Sequence, residues 1–147
     1  MKDEVKEILD FANNNSSCWF ATSVDNQPYV RGMWMWFADE TGFYFHTAGS
    51  KRMCSQIKKN PKVALGFIRD ANDNVKFSTL HVEGIAEEVH EKEMFDRLFK
   101  ERHWLWDNIA NAGVDTEVVI YKVSHVKAYI WDMSKNVHEN EIPRIEF

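Results

Sequence analysis

Residues 29–38, YVRGMWMWFA, carry bulky side chains on both faces of a period-two segment. Tyr29, Arg31, Met33, Met35 and Phe37 share one side, and Val30, Gly32, Trp34, Trp36 and Ala38 share the other, because successive strand residues point in opposite directions. A strand covered on both sides belongs inside a barrel or between a sheet and a partner, not at an open solvent face. Pro28 stands directly before it, and the turn residues Asp25-Asn26-Gln27 separate it from another strand candidate, CWFATSV at 18–24.

The rest of the chain extends this β pattern. Asp39-Glu40-Thr41-Gly42 turns into FYFHT (43–47), KVALGFIR (62–69) reads as a buried strand, and a polar turn is expected over 70–74. VKFSTLHVEGIAEEV (75–89) reads as one long strand or two joined ones, with Gly84 marking a bulge or a close backbone approach. EVVIYKV (117–123) and VKAYIWDM (126–133) read as the last strands, before a polar tail with an apolar end. Helical spacing of apolar residues predicts helices at about 3–12, 50–59 and 91–106, the last with Met94, Phe95, Leu98, Phe99, Arg102, Leu105 and Trp106 on its stripe. Ser50 is placed to cap the second helix, and Asn60-Pro61 ends it. The expected fold is mainly β: a split β-barrel of six to seven mostly antiparallel strands plus about three helices, in a single domain over 1–147.

Composition narrows the function classes. The formal net charge is −5 and no run of Lys or Arg exceeds two, so a basic nucleic-acid footprint is missing. No apolar run approaches membrane-spanning length and the N-terminus, MKDEVKEILDF, is acidic and amphipathic, which points to the cytoplasm. Cys18 and Cys54 have no CxxC or zinc spacing and read as reduced, buried thiols, and the six histidines form no metal motif. Aromatic residues reach 14%, enough to fill a large core or to wall a flat ligand or an interface.

Ser50, Lys51 and Arg52 put a hydroxyl, helix-start N–H groups and two cations near one point, a place for an anion such as phosphate. The same residues also fit a solvated surface pair beside an N-cap. Arg31, mid-strand among apolar neighbours, needs a partner: either a carboxylate such as Asp39 or Glu83, or a ligand phosphate or ring edge, with Gly32 allowing close approach. Trp34, Trp36, Tyr129 and Trp131 fit core, dimer interface or pocket wall alike. Thr47 and His46 alternate to opposite faces, which favours Thr47 as a ligand contact and leaves His46 structural. No nucleophile–base pair and no GxGxxG loop is present, so a cofactor would carry any reaction.

The order of CWFATSV, QPYVRGMWMWF, GFYFHTAGSKR, KKNPKVALGF and VEGIAEEV resembles the pyridoxamine 5′-phosphate oxidase-like family of FMN-binding split barrels, over about residues 4–133. The resemblance implies an FMN cofactor, with Arg31, Gly32, Met33 and Trp34 along the isoalloxazine and ribityl chain, and Thr47 bonding near them. It implies Ser50, Lys51 and Arg52 on the 5′-phosphate, Gln56 beside the site, and a homodimer with cofactor sites at the subunit interface. Tyr129 to Trp131 would then reach the partner's flavin. The implied activity is flavin-dependent oxidoreduction between a small-molecule substrate and an electron donor. A non-catalytic flavin-binding or stress-response module is the alternative, as is a heme- or deazaflavin-binding branch of the same fold. The Arg-rich C-terminal substrate segment of true pyridoxamine phosphate oxidases has no counterpart, since the tail offers only Arg144 among acids.

Overall fold

The computed structural model describes residues 1–69, 72 and 76–147. In chain order the elements are α1 (Asp3–Asn14), β1 (Ser17–Val24), β2 (Gln27–Trp34), β3 (Phe37–Asp39), β4 (Gly42–Ala48), α2 (Arg52–Lys59) and β5 (Lys62–Arg69). They continue with β6 (Ser78–Val89), α3 (Lys92–Arg102), α4 (Trp104–Asn111), β7 (Val118–Asp132) and β8 (Ile145–Glu146). Seven strands form one antiparallel path, β2-β1-β5-β6-β7-β4-β3, and β8 pairs with β7.

The two-faced stretch is what turns this sheet into a split barrel. It is not one strand: β2 ends at Trp34, and the chain changes partners before β3 begins. Met35 N–H donates to the Ser16 carbonyl at 2.9 Å, while Trp36 N–H donates to the Tyr44 carbonyl at 2.9 Å. One segment thus passes from pairing beside β1, at one end of the strand order, to pairing beside β4, at the other. Met35 is fully buried and Trp36 nearly so, because both lie inside the crossing rather than on a strand face.

Inside, strand alternation sends Phe20, Phe43, Phe45, Phe67, Leu80 and Val82 into one core, with Phe20 and Phe45 edge-to-face at 5.1 Å. α1 closes one end with Val5, Ile8, Leu9, Phe11 and Ala12 inward, and its acidic first turn, Asp3 and Glu4, matches the positive end of the helix dipole. A smaller cluster under α3 and α4 gathers Trp36, Tyr44, Leu98 and Ile120.

Three further sequence expectations change. The helix expected over 91–106 is two helices divided at His103, and the second continues to Asn111. The strands expected at 117–123 and 126–133 are one 15-residue strand, bent at His125, whose φ is +52°. The polar tail returns to the barrel: Phe147 and Val126 exchange both backbone hydrogen bonds, and Phe147 packs against the core. The bulge at Gly84 is present as a register shift between Glu83 and Ile85. A Cβ there would meet Val123 Cγ1 at 2.6 Å and the Ser124 carbonyl oxygen at 2.8 Å, so close strand approach requires glycine. The turn expected over 70–74 lies mostly outside the described residues. Among the described residues, no helix is long and apolar enough to cross a membrane.

Candidate functional site

Register brings the sequence candidates together around Arg31. β1 faces inward with Cys18, Phe20 and Thr22, and Phe20 pairs with Arg31, so the guanidinium enters the same side as Thr22. Arg31 Nη1 donates to Thr22 Oγ1 at 2.9 Å and to the Phe20 carbonyl at 3.2 Å, and Nη2 donates to Gln56 Oε1 at 2.5 Å. Thr22 Oγ1 in turn donates to Gln56 Oε1 at 2.6 Å. Thr22 and Gln56 are buried, the latter delivered by α2.

These acceptors are all neutral. Neither Asp39 nor Glu83 pairs with Arg31, and none of the five ion pairs among the described residues contains Arg31, Lys51 or Arg52. Burial lowers the Arg31 pKa, and the nearby positive charge of Arg52 lowers it further. Arg52 lies over the Tyr29 ring at 5.6 Å. Two guanidinium groups that repel one another, each with neutral partners, make a locally positive patch suited to an anion.

The start of α2 differs from expectation. Arg52 is its first residue and Lys51 its N-cap, with no side-chain capping bond; Ser50 precedes the cap. The Ser50 N–H donates to Thr116 Oγ1 at 3.0 Å, so that donor is turned toward the β7 side. Gly49 is pinned beside Glu117, whose Oε1 lies 2.2 Å from where a Cβ would stand. Thr47 is half-buried on β4 opposite Val119.

Alternation along β2 divides the remaining candidates. Met33 is half-buried against the core, whereas Gly32 and Trp34 face outward with Trp19. Trp19 pairs with Gly32 on one side and Gly66 on the other, and a Cβ at either glycine would meet nothing within 4 Å. The result is an open shelf around one indole, continuing into a cavity of about 560 Å³ bounded by Trp19, Met33, Trp34 and Ile68. Trp131 lies elsewhere: it sits on β7 opposite Thr79, edge-to-face with Phe77 at 6.1 Å. Four strand spacings separate β2 from β7, about 19 Å along the sheet.

A second cluster joins the end of β2 to the helices. Arg102 lies over the Trp34 ring at 3.8 Å and its Nη1 donates to His46 Nε2 at 2.6 Å, while Trp104 stacks on Trp34 at 6.0 Å. His46 is buried, and burial first, Arg102 second, push its pKa down to about 4. It is a neutral acceptor with its Nε2 already engaged, the structural role expected from its alternation with Thr47. His125 is exposed, and His138 is paired with Glu141 at 3.0 Å. Among the described residues no group of three or more His, Cys, Asp or Glu could hold a metal ion.

Sequence reasoning passed over Thr22, although a polar residue at the third inward position of CWFATSV, after Cys18 and Phe20, was a usable signal. Arg102 was visible on the helical stripe, but its contact with His46 on β4 is set by how α3 docks, which periodicity does not show.

A family model described as pyridoxamine 5′-phosphate oxidase matches residues 1–132. The chain belongs to this family. No curated protein sequence matches it. Among solved structures similar to this pyridoxamine 5′-phosphate oxidase family chain is a NimC/NimA family protein from Clostridium acetobutylicum, at 16% identity and a TM-score of 0.72, covering 97% of this chain and 93% of the other. An FAD-binding protein from Mesorhizobium loti aligns at 16% identity with a TM-score of 0.67 over 90% and 96% of the two chains. HutZ, a heme storage protein from Vibrio cholerae, aligns at 14% identity with a TM-score of 0.60 over 89% and 95%. At these identities the likeness shows the fold.

Proposed function

We propose that this protein binds FMN and acts as a flavin-dependent oxidoreductase on a small molecule. The observation that carries the reading is the adjacent pair Arg31, half-buried among neutral acceptors, and Arg52, stacked over Tyr29, neither of which enters an ion pair among the described residues. A phosphate monoester fits that imbalance, and hydrogen bonds to an ionised phosphate are about twice as strong as neutral ones. Family membership and the FAD-binding relative support a flavin as the rest of the ligand.

In this reading Arg31, Arg52, Lys51 and the Ser50 hydroxyl hold the phosphate. Met33 and Thr47 would flank the ribityl chain and ring from the Arg31 side, Gly32 and Trp34 would contribute from the outward face of β2 to a site completed by a second copy, and Gln56 stands beside Arg31. Bound FMN would supply hydride or electron transfer, and the chain's own residues would orient the ring and limit water around it. A non-catalytic flavin carrier uses the same binding residues and differs only in showing no turnover with a reduced donor.

The outer face supports a homodimer. Trp19, Val30, Trp34 and Ile68 are 54%, 62%, 49% and 46% exposed, and register places them together on β1, β2 and β5. Apolar clusters of this kind mark association surfaces. In this reading a second copy covers this face, and Trp131, four strands from β2 along the sheet, would contribute to the partner's cofactor site.

The purified protein is expected to be yellow, to release FMN on denaturation and to sediment at twice the chain mass. Colourless protein that takes up no added FMN would end this reading. Hemin uptake with a Soret band, in place of flavin, would move the chain toward the heme-storage relative instead.

A further inference from the structure

Arg31 is held by a cage that fixes its direction without reducing its charge. Its Nη1 and Nη2 donate to Thr22 Oγ1, the Phe20 carbonyl and Gln56 Oε1, and Thr22 ties itself to the same Gln56 oxygen. Every acceptor is neutral, although a carboxylate at position 56 would have the same shape and would pair with the cation more strongly. A buried or half-buried arginine is usually accompanied by a carboxylate, because an uncompensated charge is costly. Here the cost is sustained and even increased by Arg52, which lowers the Arg31 pKa further.

We infer that Thr22 and Gln56 are positioning residues that keep Arg31 aimed and electrostatically uncommitted, so that the site distinguishes a phosphorylated ligand from its phosphate-free counterpart. This rests on the FMN reading for the identity of the ligand, though not for its anionic group. The cage spans β1, β2 and α2, and Thr22 and Gln56 are 34 positions apart, so the arrangement is a property of the assembled barrel. Gln56 is nearly isosteric with Glu, which makes the idea separable from a packing role. Thr22, buried on the apolar face of β1, has the same property with respect to Val and Ser.

The test compares wild type, Gln56→Glu, Thr22→Val and Thr22→Ser. Each is titrated with FMN, riboflavin and inorganic pyrophosphate, with thermal midpoints recorded in parallel. Wild type should prefer FMN over riboflavin by tenfold or more, on the order expected for charge-assisted contacts. In Gln56→Glu that preference should collapse toward one while the thermal midpoint is held or raised, since the new carboxylate pairs with Arg31. Thr22→Val should weaken FMN severalfold and leave riboflavin unchanged, and Thr22→Ser should restore it. If Gln56→Glu keeps the wild-type preference, or if affinity is lost only in step with the thermal midpoint, the positioning role is wrong. If wild type ignores both flavins but binds pyrophosphate, and Gln56→Glu does not, the flavin reading fails while the cage stands. If wild type binds none of the three, both fall.

Discussion

Replacing Arg31 and Arg52 together with alanine should weaken FMN binding by at least about a hundredfold while changing riboflavin binding little. Each charge-assisted hydrogen bond to phosphate is worth about 1.5–3 kcal/mol, and two guanidinium groups contribute at least one each. The fold should survive, because Thr22 and Gln56 remain bonded to each other at 2.6 Å and Arg52 lies on the exposed start of α2. Removing two like charges also relieves their mutual repulsion, so the thermal midpoint should not fall with the affinity. Quenching of flavin fluorescence on titration measures both ligands. An FMN affinity within threefold of wild type would retire the phosphate assignment.

Stability should also fall on mild acidification, from pH 6.5 toward 4, and His46 should account for much of the loss. Its pKa is depressed to about 4 by burial and by the Arg102 guanidinium at 2.6 Å, against an ordinary value of 6.5. Between those two values the unfolded chain binds the proton that the folded chain refuses. Stability therefore rises with pH across that window and is fully present above 6.5. A shift of this size corresponds to on the order of 3 kcal/mol below pH 4, since one pKa unit is worth about 1.4 kcal/mol. Urea unfolding at several pH values should show a slope that His46→Gln flattens. The same slope in the variant would assign the acid sensitivity to other groups.

These two expectations depend on different kinds of legibility. The strands and helices could be read because side-chain period is local: CWFATSV alternates, α1 repeats its apolar residues at helical spacing, and Gly84 interrupts a long strand where a bulge occurs. The helix break at His103 was harder to see. The apolar stripe of Leu98, Leu105 and Trp106 continues across it, and no proline or glycine marks the site.

The cation-rich turn before α2 was visible, as was the need of Arg31 for a partner. The identity of that partner was not: Asp39, Glu83 and a ligand were the open candidates, and the neutral acceptors Thr22 and Gln56 emerged only with the strand register and the docking of α2. Trp34 shows the same limit. Its position on the outward face of β2 follows from alternation, but its contact with Arg102 and Trp104 requires α3 and α4 to fold back over the crossing.

Residues 29–38 by themselves required cover on both faces, and that requirement already pointed to a barrel, since an open sheet would leave one row of large side chains in water. Only the tertiary structure decided how far the requirement is met: β2 ends at Trp34, Met35 and Trp36 are buried while bonding to the Ser16 and Tyr44 carbonyls, and Val30 and Trp34 stay exposed on the outer face of β2. Periodicity records which way a side chain points. What it meets depends on strands and helices brought together from elsewhere in the chain, and the neutral cage around Arg31 exists only after that assembly.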